Sequence, residues 1–307
     1  MMKISVKLSD LLIRSLVESV TVDVMELLVR RLIPGYNLRK QAGSSPNIPT
    51  LNKDFAAQII RDLEKQGLIL HFASLLIDVH QNGLTGHSYS ISYLREIIRE
   101  LQESGFIYDQ ESRIFVEDSS VRATKNWGVL REGEEYIFTF LRLDVVGNSK
   151  LVRQYPQNII QSTYDDLRSM VSGSITKRNG RIWSWEGDGG LVCFYFSHKN
   201  NLATISAMEI ISELFIYNLI SCRLKHPLGV RLAVHCGPCF YERDTENIKH
   251  ETIRRTVEIE AKYTRPNTVT VSDVVFSTLD PKLSDQFRII NPGEKSRLYN
   301  YALKWEK

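Results

Sequence analysis

Two aspartates stand beside glycines where the sequence pattern predicts the ends of strands. Asp144 follows the near-continuous apolar run YIFTFLRL, which is typical of a buried central strand, and Asp188 lies at a predicted hairpin tip, in WEGDGG. Carboxylates bind Mg²⁺ in proteins, usually one or two of them together with substrate phosphates. Two such ions can activate a hydroxyl and neutralise a leaving pyrophosphate. The pair therefore predicts a centre for two Mg²⁺ or Mn²⁺ ions.

A polar turn after the first strand, GNSK (147–150), leads into a predicted helix. Backbone N–H groups at a helix start bind anions well, and a glycine allows close approach of the backbone. The predicted phosphate-binding residues are Val145, Val146, Gly147, Asn148 and Ser149. Taken singly, an aspartate at a strand end is more often a cap, and a GDGG tip is more often a tight turn. Only their combination favours catalysis.

The elements that must position these residues begin at Tyr136, where strands start to alternate with helices. A hairpin is predicted from SGSITKR (172–178) through Asn179-Gly180 into RIWSWE, with a second turn at Glu186–Gly190. The other predicted elements are strands at 136–145, 229–236, 268–272, 287–290 and 297–305, and helices at 156–171, 201–223 and 248–263. This order predicts an α+β fold, an antiparallel-rich sheet with helices on one face.

The N-terminal part reads as a small all-α domain. A helix capped by Ser9 or Asp10 is predicted first, then helices from about 21, 52 and 69, with a loop at 41–50. An amphipathic helix (91–103), a hairpin (105–118) and a polar linker (119–135) follow. We divide the chain into a helical module (1–85), a helix-hairpin and linker (86–133) and an α+β domain (134–307).

Bulk composition sets limits on function. The chain has 307 residues, 24% of them charged, and a net charge of +3, which does not indicate a nucleic-acid-binding face. Four cysteines do not suggest a disulfide framework. We find no run of about 20 apolar residues and no apolar signal core near the start, so we expect a cytoplasmic protein that does not bind membranes.

A family resemblance rests on four motifs in order across 136–275. An Asp-x-x-Gly turn is matched at 144–147, a hairpin Gly-Asp at 187–188, an Arg-x-x-x-His-x-Gly strand at 231–237 and a Pro-x-x-(apolar)-x-(apolar)-Ser strand at 266–272. The segment resembles the catalytic domain of class III adenylate/guanylate cyclases. The resemblance implies a ferredoxin-like domain that binds a nucleoside triphosphate, with two metal ions on Asp144, Val145 and Asp188, and active sites at a homodimer interface.

Two departures from this family bear on the substrate and on the rate. Purine cyclases carry a Lys or Glu four residues before the hairpin aspartate, where it reads the base, and here that position is Ser184. The family's transition-state Asn and Arg fall, without gaps, on Arg255 and Ile259. Arg254, Arg255 or Lys262 could substitute, and we name Arg255 as the catalytic candidate.

The form DVVGNSKL with the Trp-rich hairpin WSWEGDGGL is most similar to bacterial Pycsar cyclases. That resemblance implies UTP or CTP as substrate, a cyclic pyrimidine product and a role in antiphage defence. Ser184 and Trp185 are then candidate base-binding residues, and alternation along the strand predicts that Trp183 and Trp185 face one side. The N-terminal helices resemble effector-associated domains, which implies contacts with a partner protein.

Other interpretations stay open. The domain could be an ordinary adenylate or guanylate cyclase, or an inactive module that only binds a nucleotide or a partner. A DNA-binding regulator using 91–118 is a further alternative. The CGPC sequence (236–239) matches a thioredoxin-type motif, but a predicted strand precedes it, where the redox chemistry needs a helix N-terminus.

Overall fold

The computed structural model describes residues 4–41, 51–290 and 297–303. These residues form two compact units, Met1–Leu130 and Arg131–Lys307. Most of the loop predicted at 41–50 and the last residues of the strand predicted at 297–305 lie outside the described residues. Each unit has a separate set of elements, and the two predicted metal-binding aspartates both belong to the second unit.

The first unit is mostly helical. Its first helix begins at Val6 because the Ser5 hydroxyl accepts the backbone N–H of Leu8 at 3.0 Å, so Ser9 and Asp10, predicted as caps, lie inside the helix. Its elements are α1 (Val6–Ser19), α2 (Val22–Arg30), α3 (Leu38–Gln41), α4 (Asn52–Lys65), α5 (Ile69–Asn82), α6 (Leu94–Glu103), β1 (Phe106–Asp109) and β2 (Ile114–Glu117). Strands β1 and β2 form the predicted hairpin.

The segment predicted as a polar linker is partly core. Trp127 is fully buried, and its carbonyl accepts the backbone N–H of Glu117 at 3.1 Å, so the chain after β2 returns along the hairpin. Val129 and Leu130 are buried as well. The apolar side chains of this segment are spaced among polar ones with no strand or helix period, and such a pattern predicts a loop. The sequence therefore does not reveal that the segment contributes to the core.

The second unit is built on a seven-stranded sheet. Its elements are β3 (Glu135–Val145), α7 (Asn148–Gln154), α8 (Gln157–Thr176), β4 (Arg181–Glu186), β5 (Gly189–Phe194), α9 (Lys199–Ile220), β6 (Val230–Phe240), α10 (Glu251–Glu258), a π-helical turn (Ile259–Tyr263), β7 (Thr268–Ser272), α11 (Asp273–Phe276), α12 (Pro281–Ser284), β8 (Arg288–Ile289) and β9 (Leu298–Ala302). The strand order is β4-β5-β3-β6-β7-β9-β8, and only the β6–β7 pair is parallel. The fold is α+β with an antiparallel-rich sheet, as predicted.

Helices cover both faces of this sheet, whereas the sequence predicted helices on one face. Leu143, Val145 and Leu232 pack with α8 and α9 in the main core. Alternate residues of a strand point to opposite faces, and Ala233 accordingly packs with Ile259 of the π-helical turn in a second, small cluster. The charged helix near 248–263 therefore covers the other face, which is the face that carries Asp144.

Helix α8 continues to Thr176, so the segment SGSITKR is its last turn and the start of a loop, and the predicted first strand of that hairpin is wrong. Val171, Ser174 and Ile175 are buried at helical spacing. The second predicted turn, at Glu186–Gly190, is confirmed, because β4 and β5 pair across it. Asn179 has a left-handed backbone (φ 58°) and joins the helix to β4.

One helix among the described residues, α9, is long and apolar enough to cross a membrane by length and composition, although the sequence reading found no such run. In the structure its inward face lies in the core. The buried residues of α9 include Ala203, Ala207, Ile210, Ile211 and Leu214, which pack with the sheet and α8. We therefore describe it as the core helix of this unit.

Candidate active site

Strand pairing places an arginine directly beside the first aspartate. In the antiparallel β3–β6 ladder Asp144 is paired with Arg231, and Arg231 Nη2 lies 2.6 Å from Asp144 Oδ2. A second arginine, Arg142, has Nη2 3.9 Å from the other carboxylate oxygen. It projects from the same face because it is two residues away on the same strand. One oxygen of Asp144 is thus held by an arginine, and the other faces a looser cationic neighbour.

A close glycine contact brings the second aspartate to the same corner. Glu186 pairs with Gly189, so Gly187 and Asp188 form a two-residue hairpin loop, and Gly187 has the positive φ (50°) that such loops favour. A Cβ on Gly189 would lie 2.5 Å from the Leu143 carbonyl oxygen and 3.3 Å from Asp144 Cα. Only glycine permits this approach, which sets Asp188 next to Asp144.

Tyr164 of α8 connects the aspartates to the polar turn. Burial raises the pKa of its hydroxyl to about 12, and the negative charges of Asp188 and Asp144 add to that shift. Both carboxylates therefore lie near this hydroxyl. The same hydroxyl donates a hydrogen bond to Asn148 Oδ1. Tyr164, which the sequence analysis did not single out, links the three predicted parts of the site.

The predicted phosphate-binding segment forms a tight turn at the end of β3. The Val146 N–H donates to the Gly229 carbonyl at 2.8 Å, and Gly147 adopts the left-handed conformation (φ 72°) that caps α7. The N–H groups of Lys150 and Leu151 both donate to the Gly147 carbonyl. Gly147 and Ser149 are exposed, and Val145 is buried as the last residue of β3. The turn thus presents its glycine to solvent beside Asp144.

A buried glutamate completes the charged cluster. Glu260 is only 3% exposed, and its Oε1 lies 2.6 Å from Nε of Arg231. Burial raises the pKa of Glu260, and the neighbouring Asp144 charge raises it further, while Arg231 and Arg142 oppose that shift. The sequence does not single out this residue, because it lies within the predicted helix 248–263, whose pattern does not show which side chains face the sheet.

The two tryptophans of β4 do not share a face. The register between β4 and β5 shifts between Ile182 and Ser184, so a β-bulge at Trp183 interrupts the alternation that predicted a common side. Trp183 is fully buried against Phe138 and Phe140. Trp185 is half-buried and lies beside the main core on the opposite face.

Both predicted base-binding residues are partly accessible. The ring of Trp185 crosses Gly190, at which any Cβ would collide with it, and the Arg168 guanidinium lies 5.8 Å from the ring centroid. Ser184 is half-exposed between the two tryptophans. Ser184 pairs with Leu191 on the sheet face that carries Asp144, whereas Trp185 packs on the main-core face, so the two predicted base-binding residues do not share a side. Trp183 belongs to the core.

Arg255 lies on α10 with a different set of neighbours from the two arginines at Asp144. Its Nη1 is 2.8 Å from Glu258 Oε2, and its guanidinium lies 6.0 Å from the Tyr263 ring. Burial lowers the pKa of His235 to about 4, and the Arg255 charge contributes, so these side chains are close. The His235 ring and the Ser272 hydroxyl are 2.8 Å apart. The arginines that contact Asp144 are Arg231 and Arg142.

The corner between β3 and β5 fits divalent metal ions. Among the residues that the structure describes, no group of three or more His, Cys, Asp or Glu is arranged to hold a metal. A Mg²⁺ site that relies on substrate phosphates needs only one or two carboxylates, and the close packing at Gly189 supplies two. Asp144 and Asp188 are hard oxygen donors, as Mg²⁺ and Mn²⁺ prefer.

The CGPC sequence lies inside β6, which continues to Phe240, whereas the predicted strand ended at 236. Residues three apart on a strand point to opposite faces, so Cys236 and Cys239 diverge. Both are free and buried, and burial raises the pKa of the Cys239 thiol to about 12. A reactive thiol needs a lowered pKa, so this segment lacks the features of a redox site.

Solved structures that resemble part of this chain include adenylate and guanylate cyclase domains. An adenylate/guanylate cyclase/hydrolase from Silicibacter pomeroyi is 21% identical with a TM-score of 0.48, covering 56% of this chain and 99% of that one. The adenylyl cyclase CyaB from P. aeruginosa is 14% identical with a TM-score of 0.46, covering 56% and 96%. The guanylate cyclase domain of RhGC from Catenaria anguillulae, solved with GTP, is 13% identical with a TM-score of 0.44, covering 54% and 97%.

No family model matches the chain, and no curated protein matches it. The observations that bear on the function of the second unit are therefore the residues at the corner of β3 and β5 and their chemistry.

Proposed function

We propose that the second unit is a metal-dependent nucleotidyl cyclase that converts a pyrimidine nucleoside triphosphate, UTP or CTP, into its 3′,5′-cyclic monophosphate and pyrophosphate. The observation that carries this proposal is the close packing of Gly189 on β3, which sets Asp188 beside Asp144. Two carboxylates at one corner, next to an exposed glycine turn, suit a metal-bound triphosphate. The cyclic product would serve as a second messenger in antiphage defence in the cytoplasm.

Each part of the site has a role in this proposal. Asp144 and Asp188, with the main chain at Val145, would hold two Mg²⁺ or Mn²⁺ ions. Such ions lower the pKa of a ribose 3′-hydroxyl and offset the charge of a leaving pyrophosphate. Within the turn 145–149, the backbone N–H groups of 147–149 would bind phosphate oxygens, because the Val146 N–H already donates to Gly229. Tyr164 would fix the Asn148 side chain. Cationic side chains near the leaving group would stabilise its growing charge.

The pyrimidine part of the proposal rests on the hairpin. Ser184 stands where a purine-reading Lys or Glu is expected, and a serine hydroxyl can donate to or accept from a base edge. Ser184 lies on the sheet face that carries Asp144, whereas the ring of Trp185 packs on the main-core face. The pyrimidine assignment therefore depends on Ser184, a small polar residue that suits a single-ring base.

The product assay is the decisive experiment. Purified protein is incubated with Mn²⁺ and each of ATP, GTP, CTP and UTP, and the products are identified by mass spectrometry. We expect cyclic UMP or cyclic CMP. Cyclic AMP or cyclic GMP would keep the reaction and contradict the pyrimidine assignment, and the absence of any cyclic product would contradict the enzyme.

A nucleotide-binding module without turnover is the second candidate. The observation that favours it is the 2.6 Å contact between Arg231 and Asp144. In this contact the arginine occupies a carboxylate that would otherwise bind a metal ion. Saturable binding of a nucleoside triphosphate with no cyclic product from any of the four would support this alternative.

The proposal includes a homodimer with active sites at its interface. If Arg255 of one subunit acts on the metals held by the other, Asp144→Ala and Arg255→Ala should each be inactive alone. After mixing and subunit exchange, half of the dimers are mixed and each contains one intact site. We therefore expect recovery of about a quarter of the wild-type rate. An inactive mixture whose heterodimers are verified by native mass spectrometry would contradict shared sites.

The N-terminal helices are proposed to bind a partner protein.

A further inference from the structure

Glu260 is a charged residue of the site that the proposed chemistry does not use. It is 3% exposed, on a five-residue π-helical turn that follows α10. Glutamates are almost never fully buried unless they are paired, and π-helical insertions occur frequently at functional sites. From this turn the Glu260 carboxylate reaches Arg231 of the sheet.

The partner of Glu260 is the arginine that also holds Asp144. Arg231 Nε lies 2.6 Å from Glu260 Oε1, and Nη2 of the same guanidinium lies 2.6 Å from Asp144 Oδ2. The side chain of Arg231 is 28% exposed, against 21% for Asp144 and 4% for Glu260. One guanidinium therefore bridges two carboxylates, one on the buried side and one at the accessible corner.

This bridge bears directly on cation binding at Asp144. A divalent ion that binds there competes with Arg231 for the same carboxylate, and an arginine driven away from its only anion would be left partly buried and unpaired. Removing one partner of a largely buried ion pair destabilises the charge that remains. Glu260 removes that penalty because Arg231 remains paired through Nε when its Nη2 gives up Asp144.

We propose that Glu260 is a positioning residue that draws Arg231 away from Asp144 and thereby sets the affinity of Asp144 for a divalent cation. The proposal deepens the proposed function and rests on its metal site. Without the Glu260 charge, Arg231 pairs with Asp144 alone and the cation must displace it fully. The affinity of the site for Mn²⁺ should then fall.

The test is Mn²⁺ binding by the full chain without nucleotide, followed by electron paramagnetic resonance of free Mn²⁺. Glu260→Gln keeps the volume and one acceptor oxygen, and we expect it to weaken Mn²⁺ binding about tenfold. The matched control is Glu251→Gln, the same change on the exposed first turn of α10, where the partner is Arg254. The control should bind Mn²⁺ as the wild type does.

A double-mutant cycle separates action through Arg231 from simple loss of a nearby charge. In an Arg231→Gln background, Asp144 has lost its nearest competing cation, and the more distant Arg142 remains in both variants. Adding Glu260→Gln should therefore change Mn²⁺ affinity by less than about threefold. The double variant removes both buried charges together, which favours its folding, and circular dichroism verifies it. An equal loss of affinity in both backgrounds would overturn the proposal.

Two further outcomes also decide the matter. No saturable Mn²⁺ binding by the wild type at millimolar metal, or no change in Glu260→Gln alone, would overturn the role of Glu260. Failure of the proposed function is recognised separately. The expected Mn²⁺ responses without any cyclic product would leave Glu260 as a positioning residue in a metal-binding module. Cyclic product with unchanged Mn²⁺ affinity in Glu260→Gln would keep the enzyme and refute this inference.

Discussion

The two aspartates at the corner of β3 and β5 have different surroundings and should respond differently to substitution. Asp144 is held by Arg231 within the sheet, whereas Asp188 stands at the tip of a two-residue loop and is half-exposed. Asp144 therefore contributes to local structure as well as to the proposed metal site. Asp188 is free to serve the metal with little structural role.

Replacing either aspartate by alanine should abolish turnover while the fold survives. Each change removes a proposed metal ligand, and metal ions contribute several kcal/mol of transition-state stabilisation, so a loss of at least about 100-fold is expected. Initial rates of cyclic nucleotide formation measure the effect, and circular dichroism verifies the fold.

The matched control for this pair is Asp165→Ala, an exposed aspartate of α8 bonded to Gln161, which should retain the wild-type rate. Asp144→Ala should also be the less stable of the two site variants, because it removes one partner of Arg231. A wild-type rate in either site variant would refute the two-metal proposal.

At the scale of elements, the site depends on how closely β5 approaches β3. Gly189 leaves no room for a side chain, since its Cβ would lie 2.5 Å from the Leu143 carbonyl oxygen. Neither backbone can move without disturbing the ladder that pairs Leu143 with Gly190. The distance between the two aspartates is thus set by a glycine that takes no part in chemistry.

Gly189→Ala should lower the free energy of unfolding by about 1–3 kcal/mol, the usual effect of overpacking, and should reduce turnover by separating the aspartates. Gly173→Ala is the matched control, because this glycine lies inside α8 with no atom within 4 Å of its Cβ position. That change should raise stability by about 0.5–1 kcal/mol and leave turnover unchanged. Urea unfolding measures both. A Gly189→Ala protein as stable and active as the wild type would contradict the close approach.

Sequence periodicity predicted the elements in which apolar residues recur at a regular spacing. The strand at 268–272 was placed correctly because apolar β-branched residues alternate with Thr and end at Ser272, and the structure has β7 at the same residues. The segment 172–178 was misread because Asn179-Gly180 is a strong turn signal, while the buried side chains of α8 continue the helix to its last turn.

Features that depend on tertiary packing could not be predicted in this way. The β-bulge at Trp183 shifts the strand register by one position, and no residue type in the sequence predicts it. Glu260 is buried on a π-helical turn. The helical periodicity of the sequence predicts neither that turn nor the direction of the Glu260 side chain. Local motifs predicted Asp144 and Asp188 as site residues and matched Arg231 only as part of a strand motif. Glu260 and Tyr164 reach the site only through the fold.

At the scale of the whole molecule, the chain consists of two units that divide between Leu130 and Arg131. The second unit encloses a continuous core between the sheet and the pair α8 and α9, and its site residues all come from its own strands and helices. A unit with its own core can in principle fold alone. Folding of this unit should therefore not require the N-terminal helices.

The fragment 131–307 should unfold in one cooperative transition in urea and should bind Mn²⁺ with the affinity of the full chain. Both properties depend on contacts within the second unit, including the β3–β6 ladder and the packing of Gly189. Cyclic nucleotide formation by the fragment would further place the whole reaction in this unit. A fragment that folds and binds Mn²⁺ but forms no product would assign an activating role to residues 1–130. A fragment without a cooperative transition would contradict the division into independently folding units.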